Sequence, residues 1–171
     1  SRRMAQKGAK ELATMVSDRL PNPNEAYGTL FITRKDSPIN SLEDMQGHSL
    51  VANLKGGFYG HQIGLGELVK QGYDPYTFFS SVHYVGRDLK KVVNAVISGK
   101  ADVGSVSSCF LEDTYPKDGE VWKNLKGIGL KPNATGCLAS TDLYPNWSVS
   151  TMPTAEPAVA RKAAEALLAM P

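Results

Sequence analysis

Residues 88–109, DLKKVVNAVISGKADVGSVSSC, write an amphipathic helix, a strand and the start of a second helix in one unbroken phrase. Leu89, Val92, Val93, Val96 and Ile97 fall at i, i+3, i+4, i+7 and i+8, a spacing that gives one apolar stripe to lay on a sheet. Gly99 stops that helix. Ala101, Val103 and Val106 then read as a short buried strand that ends in a hydroxyl-rich corner, Ser105, Ser107 and Ser108. In open α/β sheets, the crevice beyond the carboxyl ends of the strands gathers helix N-termini, whose unpaired N–H groups favour anions. A ligand is expected at that corner.

The same alternation extends on both sides. Residues 49–54 read as a strand, 58–71 as a helix, 80–85 as a strand, 88–98 as the helix above and 102–106 as a strand. This β-α-β-α-β order implies a parallel sheet with helices on both faces. Upstream, residues 2–6 resemble the tail of a helix ending at Gly8, 11–16 and 27–33 are candidate strands, and LPNPN is a hard break between them. Ser41 with Asp44 three residues on is a capping-box pattern for a short helix that Gly47 ends. Downstream, a short helix over 109–114, strands over 127–130 and 136–139, and a closing helix over 155–169 are expected. That last helix takes Thr154 as N-cap and places Val159, Ala163, Ala166, Leu167 and Met170 on one face.

Composition excludes several classes. A chain of 171 residues with 42% hydrophobic and 21% charged residues is globular rather than disordered. A formal net charge of +2, from scattered basic residues, gives nucleic acid or an anionic membrane surface little to hold. No apolar run reaches the roughly 18 residues of a spanning helix. The opening SRRMAQKG has neither a signal pattern nor an initiator Met and is read as the interior of a longer chain. His48, His61 and His83 are isolated, so no metal site and no cofactor are expected. There is no G-x-S-x-G elbow, no P-loop and no nucleophile paired with a base, so an enzyme is not expected.

Three stretches carry a family likeness: TLFITRKDSPINSLEDMQGHSLVANLKGGFYG, LKKVVNAVISGKADVGSVSS and STDLYPNWSVSTMP. They resemble the phosphonate-binding branch of the type II periplasmic binding proteins, and within it the periplasmic sensor modules of tetrathionate-type histidine kinases. The latter share the element built here from Ser140, Thr141, Leu143, Tyr144, Pro145 and Trp147. The resemblance covers about residues 11–170. It implies an α/β lobe of type II periplasmic-binding architecture, a doubly wound sheet in a two-lobed clamp that closes on a small anionic solute without chemistry of its own. It also implies an extracytoplasmic location and a partner in the membrane, either a kinase region or an ABC permease. On this reading residues 1–48 are the remainder of the first lobe and its crossover, with the first half of that lobe missing. Residues 49–138 are the second lobe, and 139–171 the return segment and closing helix. A sheet edge left open by the missing strands makes a homodimer a further expectation.

Three corners of the second lobe are ligand candidates. Gly56, Gly57 and Gly60 follow the strand SLVANL, where backbone N–H groups can approach an anionic oxygen without Cβ interference. The resemblance puts a phosphonate near this place, although the chain offers glycine, Phe58 and Tyr59 where phosphonate binders favour hydroxyl residues; a plain glycine turn feeding a helix is the alternative. Arg87, between Gly86 and Asp88, offers a fork to an oxyanion or is a solvated charge at a helix start. Ser105, Ser107, Ser108 and Cys109 form the third corner, as ligand contacts or as helix caps. Tyr59, Trp122, Tyr144 and Trp147 are candidate aromatic walls or hinge packing. The implied oxidising compartment makes a Cys109–Cys137 disulfide an expectation. The alternatives are thiols that meet a sulfur-containing ligand, or two buried cysteines acting as small hydrophobes.

Overall fold

A computed structural model of the chain describes residues 6–16, 20 and 22–170. The expected helix tail at residues 2–5 lies outside them, and Gln6 falls in a turn. The chain forms two compact units, one of residues Tyr27–Tyr144 and one of Ser1–Ala26 with Pro145–Pro171. The divisions that the sequence suggests at 48/49 and 138/139 fall inside the first of these units.

The larger unit is built on five strands: β2 (Thr29–Arg34), β3 (Ser49–Ala52), β4 (Ser81–Tyr84), β5 (Val103–Ser107) and β6 (Leu125–Ile128). Their order is β4-β3-β5-β2-β6. β3 runs parallel to β4 and β5, as the alternation requires, but β2 is antiparallel to both β5 and β6. The sheet is therefore mixed rather than parallel throughout. β2 sits between later strands and buries both of its faces, with only Arg34 exposed.

Helix α1 (Ile63–Lys70) follows β3, and helix α2 (Leu89–Ile97) follows β4. Val92, Val93 and Val96 of α2 are fully buried with Leu30, Ile32, Val51 and Val106. Leu68 of α1 is buried with Phe31, Leu50, Val103 and Ile128 on the other side of the strands. Adjacent strand residues thus feed two cores, each fully buried Val or Leu contributing about 1.5–3 kcal/mol. Close approach favours glycine at Gly104 and Gly64. A Cβ on Gly104 would lie 2.8 Å from Val96 and 2.9 Å from Ile32, and one on Gly64 would lie 2.7 Å from Phe31 Cζ.

Local signals set the boundaries. Asp88 caps α2 by accepting the Lys90 N–H at 3.0 Å. Gly99 ends it at φ 71°, with the Lys100 N–H on Ala95 O and the Gly99 N–H on Val96 O. The capping box closes reciprocally, Ser41 N–H on Asp44 Oδ2 at 2.9 Å and Asp44 N–H on Ser41 Oγ at 3.2 Å, around a 3₁₀ turn, Glu43–Met45. The helix expected over 58–71 opens instead as a π turn, Phe58–Gln62, before α1 begins. Helices α3 (Phe110–Thr114) and α4 (Glu120–Asn124) are single turns, the second without a sequence signal. β6 starts two residues before the strand expected at 127–130, and residues 136–139 form no strand.

The smaller unit contains β1 (Lys10–Thr14), β7 (Ser148–Thr151) and helix α5 (Pro157–Leu168). β1 and β7 pair antiparallel, and β7 was not expected from its sequence. Helix α5 is preceded by Glu156 with Pro157 at its first position, so Thr154 is not its cap. Its half-buried face is Ala160, Ala164 and Leu167. The stripe expected to pack is mostly exposed, with Val159 at 58% and Met170 at 62%. No helix among the described residues is long and apolar enough to cross a membrane.

Candidate functional site

Because β3, β4 and β5 are parallel, the segments that follow them share one edge of the larger unit. The Gly86 N–H donates to Asn53 O at 2.9 Å and the Val85 N–H to Ala52 O at 3.1 Å, which joins the first two candidate corners. The third corner lies behind β5, beside the start of β2.

At the first corner the glycines differ in purpose. A Cβ on Gly57 would stand 2.5 Å from Asn53 Oδ1 and one on Gly60 3.0 Å from it, so both glycines pack closely on the Asn53 side chain, Gly57 the more tightly. The Gly57 N–H is also engaged, donating to Leu54 O at 2.9 Å. Gly56 is exposed and its Cβ direction is open, so packing gives no reason for a glycine there. Phe58 is 53% exposed and Tyr59 half-buried, and their rings adjoin, 5.0 Å between centroids.

Arg87 stands exposed at the second corner and makes no ion pair or hydrogen bond with any described residue. In the same edge, His61 is 2% exposed and its Nε2 lies 3.1 Å from the Tyr84 hydroxyl, the rings meeting edge to face. Burial pushes the His61 pKa below its ordinary value, so the imidazole is neutral near pH 7. Burial pushes the Tyr84 and Tyr59 phenols up, the latter also through Tyr27.

At the third corner the structure commits most hydroxyls to the backbone. Ser105 Oγ donates to Gly60 O at 2.6 Å, and Ser108 Oγ accepts the Gly28 N–H at 2.9 Å, both buried. Ser107 is half-buried opposite Thr29. Cys109 and Cys137 are 1% and 5% exposed and joined in a disulfide with Cα atoms 4.9 Å apart. Neither is a free thiol. Cys109 stands at φ 65°, the left-handed region, just before α3.

Sequence reasoning missed two supports of this edge. Thr29, a fully buried hydroxyl inside an apolar strand, donates to Tyr59 O at 2.6 Å. Lys131 binds Glu67, 4% exposed, at 2.8 Å and Asp142 at 2.9 Å, while Lys70 also pairs with Asp142; these cations hold the Asp142 carboxyl below its usual pKa. The network ties Lys131 and Asp142 to Glu67 and Lys70 of α1. Of the other aromatic candidates, Trp122 packs against the α2 core and donates to Tyr115 O at 3.3 Å, and Trp147 belongs to the smaller unit. Among the described residues no three His, Cys, Asp or Glu side chains come together to hold a metal ion. In a cavity at the opposite edge, lined by Arg34, Lys35, Asp36 and Lys123, Arg34 pairs with Asp36 and Lys123 with Glu120.

Comparison with known proteins places this architecture. The chain is 27% identical over 148 residues to the tetrathionate sensor histidine kinase TtrS of Salmonella typhimurium, covering 86% of this chain and 25% of the kinase. It superposes on XAC2383 from Xanthomonas citri, solved with chloride, with a TM-score of 0.73 at 22% identity over 96% of this chain and 58% of that one. The binding-protein component of an ABC phosphonate transporter from Pseudomonas aeruginosa, PA3383, gives a TM-score of 0.55 at 18% identity, covering 90% of this chain and 47% of that one. The chain thus spans a quarter of the kinase and about half of the two solved chains, and the structural likenesses are likenesses of fold. The model of the periplasmic substrate-binding protein of phosphonate ABC transporters matches residues 3–171, and the chain belongs to that family.

Proposed function

We propose that the chain binds a small oxyanion as the ligand-sensing input domain of a two-component sensor kinase. The observation that carries this reading is the likeness to TtrS, which runs through most of the chain, including the STDLYPNW element. The solute sits at the strand-end edge, against Gly56, Phe58 and Tyr59, with Arg87 as the cation and Ser107 beside them. Arg87 suits an oxyanion because its planar fork donates two parallel hydrogen bonds and no described residue competes for it. Binding works without turnover. A solute that contacts the closed arrangement of a two-lobed clamp more than the open one shifts the population toward closure, and the membrane partner reads that shift.

A second reading has its own support. The family description is that of a transporter component, in which a permease rather than a kinase would read closure. Both readings are tested by thermal unfolding of the full-length protein with phosphate, methylphosphonate, sulfate, thiosulfate or tetrathionate. A native-state ligand at about 100 times its Kd stabilises by about 2.7 kcal/mol. Stabilisation by a sulfur oxyanion, lost in Arg87→Ala, is the expected result. Stabilisation by methylphosphonate alone moves the assignment to transport, and no stabilisation by any of the five overturns the oxyanion reading.

A further inference from the structure

Tyr27 and Tyr144 are the first and last residues of the larger unit, the two points at which the chain leaves it. They pair with each other, the Tyr144 N–H on Tyr27 O at 2.8 Å and the Tyr27 N–H on Tyr144 O at 3.2 Å. The π turn meets both. The Tyr59 ring lies 5.1 Å from that of Tyr27, and the Phe58 ring lies edge-on to that of Tyr144 at 6.4 Å. Both separations are within the range of favourable aromatic pairs.

We propose that Phe58 and Tyr59 are positioning residues that couple the Gly56–Gly57 turn to the two chain crossings. The proposal rests on the solute-binding reading only for what moves the turn; the coupling itself is a property of the unit. The backbone of the π turn is tied to the same place. Tyr59 O accepts from Thr29 Oγ1, and Thr29 lies two residues beyond Tyr27. The Thr29 N–H in turn donates to Thr141 Oγ1 at 3.0 Å, and the Ser140 N–H to Thr29 O at 2.8 Å, so the two crossing segments are stitched together beside the turn. Gly60 O is held from the other side by Ser105. π turns are rare and frequently lie at functional sites. Here side chains from β2 and β5 take up the Tyr59 and Gly60 carbonyls.

The mechanics follow from connectivity. A displacement of Gly56 or Gly57 reaches the Phe58 and Tyr59 backbones through one to three peptide bonds, and the hydrogen bonds on the Tyr59 and Gly60 carbonyls carry it to β2 and β5. One ring packs on each crossing segment, so a single movement acts on both segments at once. Phe58 is half exposed, which lets its ring follow the turn without opening the core.

The test is amide hydrogen exchange of the full chain, read by NMR without any solute. Phe58→Ala and Tyr59→Leu should each speed exchange at the Tyr27 and Tyr144 amides at least tenfold and leave Leu50 and Val51 in β3 at the wild-type rate. Phe58→Tyr, which keeps the ring, should restore wild-type exchange at Tyr144. Unchanged rates at Tyr27 and Tyr144 overturn the coupling, and so does an equal acceleration at all four amides, which marks a general loss of stability. Because no solute is present, failure here leaves the oxyanion titrations standing, and failure of those titrations leaves the exchange pattern interpretable.

Discussion

Reduction of the Cys109–Cys137 bridge should lower the stability of the larger unit by about 3.5 kcal/mol. The bridge closes a loop of 28 residues, and the chain-entropy relation for a loop of that length gives about 12 cal/mol/K, hence about 3.5 kcal/mol at 25 °C. For a domain of roughly 120 residues the unfolding entropy is about 250 cal/mol/K, so the expected fall in Tm is about 14 °C. The assay is thermal unfolding by circular dichroism, with and without a phosphine reductant, alongside Cys137→Ser and Cys109→Ser. Cys137→Ser should reproduce the reduced protein. Cys109→Gly should do better than Cys109→Ser by about 1 kcal/mol, because residue 109 stands at φ 65°, where a side chain is penalised and glycine is not. A fall in Tm of less than 4 °C on full reduction would refute the reasoning, since the loop constraint would then be worth under about 1 kcal/mol.

Other perturbations probe the edge and its supports. His61 is held neutral by burial, its folded pKa below the ordinary 6.5, so its share of stability is present above about pH 6.5 and is lost as pH falls from there toward the folded value. Urea unfolding at pH 7.5 and pH 5 should show that loss, and His61→Gln should flatten it. Asp142 and Asp102, whose carboxyls are held low by Lys70 and Lys131 and by Ser49 respectively, contribute in the same sense but lose their share only below about pH 4. Lys131→Met should cost about 1–3 kcal/mol in urea unfolding, because it strips the buried Glu67 carboxylate of its cation. Lys131→Arg, which can reach the same oxygens, should recover most of it. Gly64→Ala should destabilise by about 1–3 kcal/mol, since its Cβ would stand 2.7 Å from Phe31 in the core, while Gly56→Ala should leave unfolding unchanged.

The elements read correctly were those that carry their own period. Helix α2 has five apolar residues on one stripe, an Asp cap and a terminal glycine, so nothing beyond its own sequence is needed to place it. β3, β4 and β5 follow from their alternation with helices. β7 could not be found that way: Ser148–Thr151 is largely exposed, and its partner β1, far upstream, makes it a strand. The α5 sequence holds two apolar stripes, and periodicity alone does not select Ala160, Ala164 and Leu167 over Val159, Ala163 and Met170. At the proposed site, Gly56, Phe58, Tyr59 and Arg87 are legible as residue types after strands. The π register is not legible there, and its Tyr59 and Gly60 carbonyls are taken up by hydroxyls of Thr29 and Ser105 on strands distant in sequence. The same distance hid the use of Ser105 and Ser108 as internal hydrogen-bonding groups rather than surface hydroxyls.

The position of β2 has a consequence for how such a chain is made. Its sequence, TLFITR, is synthesised before both of its neighbours, Val103–Ser107 and Leu125–Ile128. A chain emerging N-terminus first must carry this apolar, β-branched strand without a partner until the greater part of the unit has followed it. Hairpin formation cannot shield it, since neither neighbour is local, and such non-local pairings are slow to form. Translation that stalls between β3 and β5 would therefore leave a sticky segment uncovered, and a holding chaperone is the natural protection during that interval.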